Sequence, residues 1–183
     1  MAQARLRFAH DGLRANWIEA DSWLLDPGSA CYGGFGDLAI HLVDLLDWWG
    51  FGQLTPEILR TSHILRRTAA EDHGLALLRL ESGGTAIIEA GWASGSGPML
   101  QVELLGSQGV IASRDGRLLA ELSDGQRWDL GLLNPDAATG LEPFLDGVAT
   151  GDWSRCVPLS DAVSAARLID AIYACVAPES PGS

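Results

Sequence analysis

Residues 33–50 read GGFGDLAIHLVDLLDWWG, a glycine-rich turn running into a helix. Gly33, Gly34 and Gly36 supply backbone freedom at the entry, and Asp37 stands where an N-cap or first-turn acid is favoured by unpaired amides and the helix dipole. Gly50 is the natural stop. At about 100° per residue, Asp37, His41, Asp44 and Trp48 fall within about 60° of one another on the helical wheel. Leu38, Ala39, Ile40, Leu42, Val43, Leu45, Leu46 and Trp49 occupy nearly all the rest, with Asp47 the exception. A helix apolar most of the way round is expected to be buried, and carboxylates and an imidazole on it need partners or a wet cavity. The stripe is therefore expected to face a cavity that Asp37 and His41 share. Taken singly, Asp37 could be only a cap, His41 a satisfied core histidine and Asp44 a partner for a backbone amide. Three polar residues in register favour a functional pocket.

The chain around this helix has 183 residues, 47% of them hydrophobic, enough for one domain with a proper core. Twelve basic against 24 acidic residues give a net charge of -12, which argues against a phosphate-tracking, nucleic-acid-binding surface and for a cytoplasmic protein. All 12 basic residues are arginine, so a Walker lysine, a Schiff-base lysine and a lysine general acid are excluded within this sequence. Cys31, Cys156 and Cys175 are widely spaced, without Cys-x-x-Cys, and indicate neither a disulfide framework nor a thiolate zinc site. No segment reaches 18 uncharged apolar residues and no signal-peptide pattern opens the sequence, so no membrane association is expected.

Ala4 to Phe8 alternates arginine with apolar residues and predicts a half-buried strand, closed by a turn at His10-Asp11-Gly12. Asn16 to Leu25 carries Trp17, Ile18, Trp23, Leu24 and Leu25 before the Asp26-Pro27-Gly28 turn. After the helix the period shifts towards 2. Strands are predicted at Glu57 to Arg67, His73 to Glu81, Thr85 to Ala93, Met99 to Leu105, Val110 to Ser113, Arg117 to Leu122 and Gln126 to Leu130. Asp115-Gly116 and Asp124-Gly125 are strong hairpin signals. Loops are predicted at 95–98 and 134–136, a short helix from Glu142 to Thr150, and a last helix from Leu159 or Ser160 to about Val176. His63 and His73 have no spaced partner and read as structural or exposed. The expected architecture is a two-layer α+β domain over residues 1–177, a mainly antiparallel sheet with helices on one face, followed by a disordered tail at 178–183. The strand faces are apolar enough to predict a homo-oligomer through the sheet face.

Gly-Gly, a short spacer and then Asp37-x-x-x-His41-x-x-Asp44 opening an apolar helix resembles the substrate-domain signature of the glucose-fructose oxidoreductase, inositol dehydrogenase and MocA (Gfo/Idh/MocA) family, NAD(P)-dependent oxidoreductases acting mainly on sugars and polyols. Many members have glycine two residues before the histidine, where this chain has Ala39, one small residue for another. Gly91-Trp92 resembles a strand ending seen in relatives, Phe144, Asp161-Ala162 and Asp170 to Tyr173 loosely match the closing helices, and a tryptophan segment often precedes the Gly-Gly turn. The resemblance covers nearly all of this chain but only the second domain of the family's fold. Gly33-Gly34-Phe35-Gly36 is not a Gly-x-Gly-x-x-Gly fingerprint, and no Rossmann unit surrounds it. The family's Glu-Lys-Pro motif, whose lysine assists proton transfer, is absent too.

What the resemblance implies is the substrate-binding half of a sugar or polyol oxidoreductase. His41 would be the general acid/base, Asp37 a substrate-hydroxyl partner that also holds His41 in its tautomer, Asp44 the weaker member and Trp23 a pocket wall. NAD or NADP is the family's cofactor, and none is expected to bind this chain alone; a separate nucleotide-binding domain is the implied partner. Two alternatives stand beside this reading. One is a catalytically inactive sugar-binding or oligomerisation module. The other is an unrelated α+β protein whose Asp-x-x-x-His stripe binds a metal, for which His10, His63 and His73 offer no third ligand in a related context.

Overall fold

The computed structural model describes residues 3–12, 19, 22–26, 28–65, 69–95, 99–132 and 141–176. The loops predicted at 96–98 and 134–136, Trp17, Pro27 and the tail at 178–183 lie outside them. Eight strands form one sheet: β1 (Gln3–Ala9), β2 (Leu54–Ser62), β3 (His73–Leu80), β4 (Thr85–Gly91), β5 (Met99–Gly106), β6 (Gly109–Arg114), β7 (Arg117–Leu122) and β8 (Arg127–Leu132), in the order β2-β3-β4-β1-β5-β6-β7-β8. Every neighbouring pair is antiparallel except β1 with β4, which runs parallel with Ala9 opposite Gly91. The expected α+β fold is therefore present, with one parallel ladder at its centre. β2 begins three residues before its predicted start, and its bulge at Pro56/Ile58 lies where proline cannot donate to a ladder.

Helix α1 (Gly34–Trp48) packs over β1, β3 and β4, and α3 (Leu159–Tyr173) packs on α1 and β2; α2 (Leu141–Thr150) lies between β8 and α3 in the chain. The core forms where the alternating Ala4 and Leu6 of β1, Ala76, Leu78 and Leu80 of β3, and Ala86, Ile88 and Ala90 of β4 meet Phe35, Leu38, Leu42, Val43 and Leu46 of α1. Leu59, Ile169 and Ile172 close it under α3. Each of these large side chains taken from water contributes roughly 1.5–3 kcal/mol.

The opposite sheet face alternates ion pairs with apolar residues. Arg7 donates to Glu89 at 2.9 Å, His73 lies 3.1 Å from the same carboxylate, and Arg5 is 3.6 Å from Glu103. Burial pushes the Glu89 carboxyl up, but the His73 and Arg7 hydrogen bonds and charges more than offset it and hold it below its ordinary value. Leu75 and Leu105 are exposed among these charges. His73 is thus structural, while His63 is exposed with its Nε2 3.3 Å from the Ala69 carbonyl.

One expectation about the central helix is met and one is corrected. Its N-cap is Gly33, and Asp37 is the fourth helical residue, the first-turn acid of the two places the sequence offered it. The glycines serve close approach, not unusual backbone: Gly33 has φ of -93°, and a Cβ there would lie 2.2 Å from the Glu71 carbonyl oxygen. Gly50, with φ of +75°, does provide the expected left-handed stop.

Candidate active site

The parallel ladder sets the site. Because Ala9 stands opposite Gly91, the next residues, His10 and Trp92, leave adjacent strand ends side by side. Both are clamped there: the His10 amide donates to the Gly91 carbonyl at 3.2 Å, Ser94 donates to the His10 carbonyl at 3.1 Å, and the Trp92 amide donates to the Asp72 carbonyl at 2.8 Å. Asp72 is itself buried, its carboxylate accepting the Ile64 and Leu65 amides, each at 2.7 Å.

The first turn of α1 lies against this corner. Trp92, fully buried, donates its indole Nε1–H to Asp37 Oδ2 at 2.8 Å. One turn on, His41 sets its ring edge-to-face with Phe8 of β1, centroids 5.7 Å apart at 76°. His10 accepts the Gly12 amide at Nδ1, 3.1 Å, which assigns the neutral ring's proton to Nε2. Burial holds the His10 pKa below its ordinary 6.5, against the opposing charges of Asp37 and Asp11.

Asp37 and His41 are therefore brought to one corner, but on the exposed side of α1, not in an enclosed cavity. The apolar residues on either side of the stripe seat the helix on the sheet and on α3, leaving Asp37, His41, Asp44 and Trp48 outward. Asp44 lies two turns on, where it lines a groove of about 270 Å³ with Asp47, Gln53 and Ser164 between α1 and α3. Trp23, on a single 3-10 turn (Trp23–Leu25), is 64% exposed and makes no described hydrogen bond or ring contact with Asp37 or His41. The sequence does not single out His10 or Trp92: the first reads as a turn residue and the second as a strand ending, and only the long-range β1–β4 pairing joins them.

Among the described residues no three His, Cys, Asp or Glu side chains converge as a metal site requires. Nor does the glycine entry suit a dinucleotide. A helix N-terminus binds phosphate through free amides, but Glu71 takes the Gly33 amide at 2.9 Å with its carboxylate and the Gly34 amide at 2.7 Å with its carbonyl, and the Tyr173 hydroxyl takes the Gly36 amide at 3.0 Å. An anionic side chain already occupies the place a pyrophosphate would need. No described helix is long and apolar enough to cross a membrane, which says nothing of a β-barrel.

The fold thus sets an acid and an imidazole one helical turn apart on the exposed face of α1, beside two clamped strand ends. The chain belongs to the GFO/IDH/MocA family, whose C-terminal domain description matches residues 2–112. It is 34% identical over 96 residues to D-apiose dehydrogenase of Paraburkholderia graminis, an alignment covering 50% of this chain and 25% of that protein. Solved structures confirm the fold. An inositol dehydrogenase homolog from Azotobacter vinelandii, complexed with NAD+, superposes with a TM-score of 0.74 at 17% identity, over 93% of this chain and 54% of that one. A levoglucosan dehydrogenase in complex with NADH and L-sorbose gives 0.71 at 20% identity, over 95% and 56%. The chain thus spans a quarter of the curated relative and little more than half of these structural neighbours.

Proposed function

We propose that this chain is the substrate-binding half of a sugar or polyol oxidoreductase. The observation that carries the reading is the exposed pair Asp37 and His41, one helical turn apart beside His10 and Trp92, in a chain of this family. Asp37 accepts a hydrogen bond from one ligand hydroxyl, and His41 takes the proton of the hydroxyl at the reacting carbon, a task suited to an imidazole. Asp44 and Trp23 belong to the margin of this surface. Oxidation of that carbon also needs a hydride acceptor. No described residue fits a nicotinamide dinucleotide, so a separate nucleotide-binding domain would hold it, and the chain alone binds none. The 1–177 unit works as one domain, and the mixed sheet face carrying Leu75 and Leu105 pairs with a second copy.

The test is polyol binding. NMR titration of the purified chain with myo-inositol, L-sorbose, levoglucosan and D-apiose should move the His41 ring resonances saturably with at least one of them, and His41→Ala should weaken that binding. Unmoved His41 resonances with the whole panel would leave the inactive oligomerisation module as the better account.

A further inference from the structure

We propose that Trp92 is a positioning residue for Asp37, fixing which carboxylate oxygen meets the ligand; this rests on the reading of Asp37 as a hydroxyl partner. The indole is held on three sides. Its backbone amide is bonded to the Asp72 carbonyl at 2.8 Å, its ring is fully buried, and Gly34 passes so close that a Cβ there would lie 2.9 Å from Trp92 Cδ2. A buried indole N–H has a single direction in which to donate, and that direction is Asp37 Oδ2 at 2.8 Å. The carboxylate it meets is exposed and on a helix, where an aspartate would otherwise exchange rotamers freely.

The bond engages Oδ2 and not Oδ1, on a carboxylate that is exposed one turn before His41. One oxygen is thereby presented to a ligand without the cost of ordering the side chain on binding. His10, beside Trp92 at the neighbouring strand end, is close enough for the Asp37 charge to favour its protonated form, as does Asp11 from its own loop, so its titration reports the state of Asp37 independently of any ligand.

Three variants of the full chain test this. In Asp37→Asn, a change at an exposed position, the Trp92 indole N–H resonance should move upfield as its charged acceptor is lost, and the His10 midpoint should fall. Trp92→Phe keeps an aromatic ring, though a smaller one, and removes the donor. It should weaken myo-inositol binding about tenfold, the scale of a hydrogen bond to a charged group, while His41→Gln leaves the Trp92 indole resonance in place. An indole resonance unmoved by Asp37→Asn overturns the proposal, as does inositol affinity within twofold of the parent in a folded Trp92→Phe chain. If the parent binds no polyol, the functional reading fails by itself, and the indole shift in Asp37→Asn still decides whether Trp92 holds Asp37. Should Trp92→Phe not fold, that same indole shift decides it.

Discussion

Tyr173, at the end of α3, donates its hydroxyl to Glu71 at 2.5 Å while accepting the Gly36 amide at 3.0 Å. One phenol thus joins the last helix, the turn before β3 and the first turn of α1. Tyr32 stacks on it at 4.7 Å between centroids and donates to Asp170. Burial first, and then the Glu71 hydrogen bond and charge, push the Tyr173 pKa well above its ordinary 10.0. A group with a raised folded pKa stabilises fully below its unfolded value and loses that contribution as pH climbs. Tyr173→Phe should therefore cost about 1–3 kcal/mol in urea unfolding at pH 7. The parent's advantage over this variant should shrink progressively above pH 10. An advantage independent of alkaline pH would show that the phenol's ionisation is not coupled to folding.

Alanine substitution separates two uses of glycine. At Gly33 a Cβ would meet the Glu71 carbonyl oxygen at 2.2 Å, so α1 must shift, and Gly33→Ala should lower stability by several kcal/mol or prevent folding. At Gly50 nothing lies within 4 Å, but φ is +75°, and Gly50→Ala should cost only about 1 kcal/mol of backbone strain. Thermal melts of the two variants check the order. Equal losses would show that the Glu71 carbonyl gives way to the added carbon at little cost.

These glycines also show what the sequence can and cannot disclose. Their presence before an apolar helix marks the turn, and Asp-Gly pairs mark the hairpins, because both are local rules of backbone geometry. The reason for Gly33 is a carbonyl 38 positions away, which no local rule reveals. The same holds for the site. Asp37 and His41 are legible from helical period, whereas His10 and Trp92 become neighbours only through a parallel ladder between strands separated by the whole α1-to-β3 excursion. Whether the polar stripe faces inward or outward was equally hidden. Its hydrophobic flanks fit either arrangement until the sheet on one side and α3 on another are in place.

His10 offers a test of the site's electrostatics. Burial lowers its pKa, so the folded state resists protonating it, and its stabilising contribution is present above pH 6.5 and lost as pH falls below that value. His10→Gln should flatten the stability profile between pH 6.5 and pH 5. Because the Asp37 charge works against burial, Asp37→Asn should move the His10 midpoint further down in a histidine-resolved NMR titration. A midpoint at or above 6.5 would mean that the ring is better solvated than its burial implies.

The chain by itself should bind neither NADH nor NADPH. The amides of the α1 entry are spent on Glu71 and Tyr173, and a dinucleotide arriving there would face a carboxylate within a chain of net charge -12. Catalysis of hydride transfer depends on holding the nicotinamide close to the substrate carbon, and that placement supplies much of the rate. No described element of this chain can provide it, and no lysine is present to assist the proton. Reduced-nicotinamide fluorescence should therefore stay flat on titration, and no sugar should reduce NAD in its presence. Adding a nucleotide-binding domain of the same family in trans is the informative complement: oxidation that appears only with both parts, and disappears in His41→Ala, would assign the proton transfer to this half. Saturable micromolar NADH binding by the chain alone would overturn this expectation.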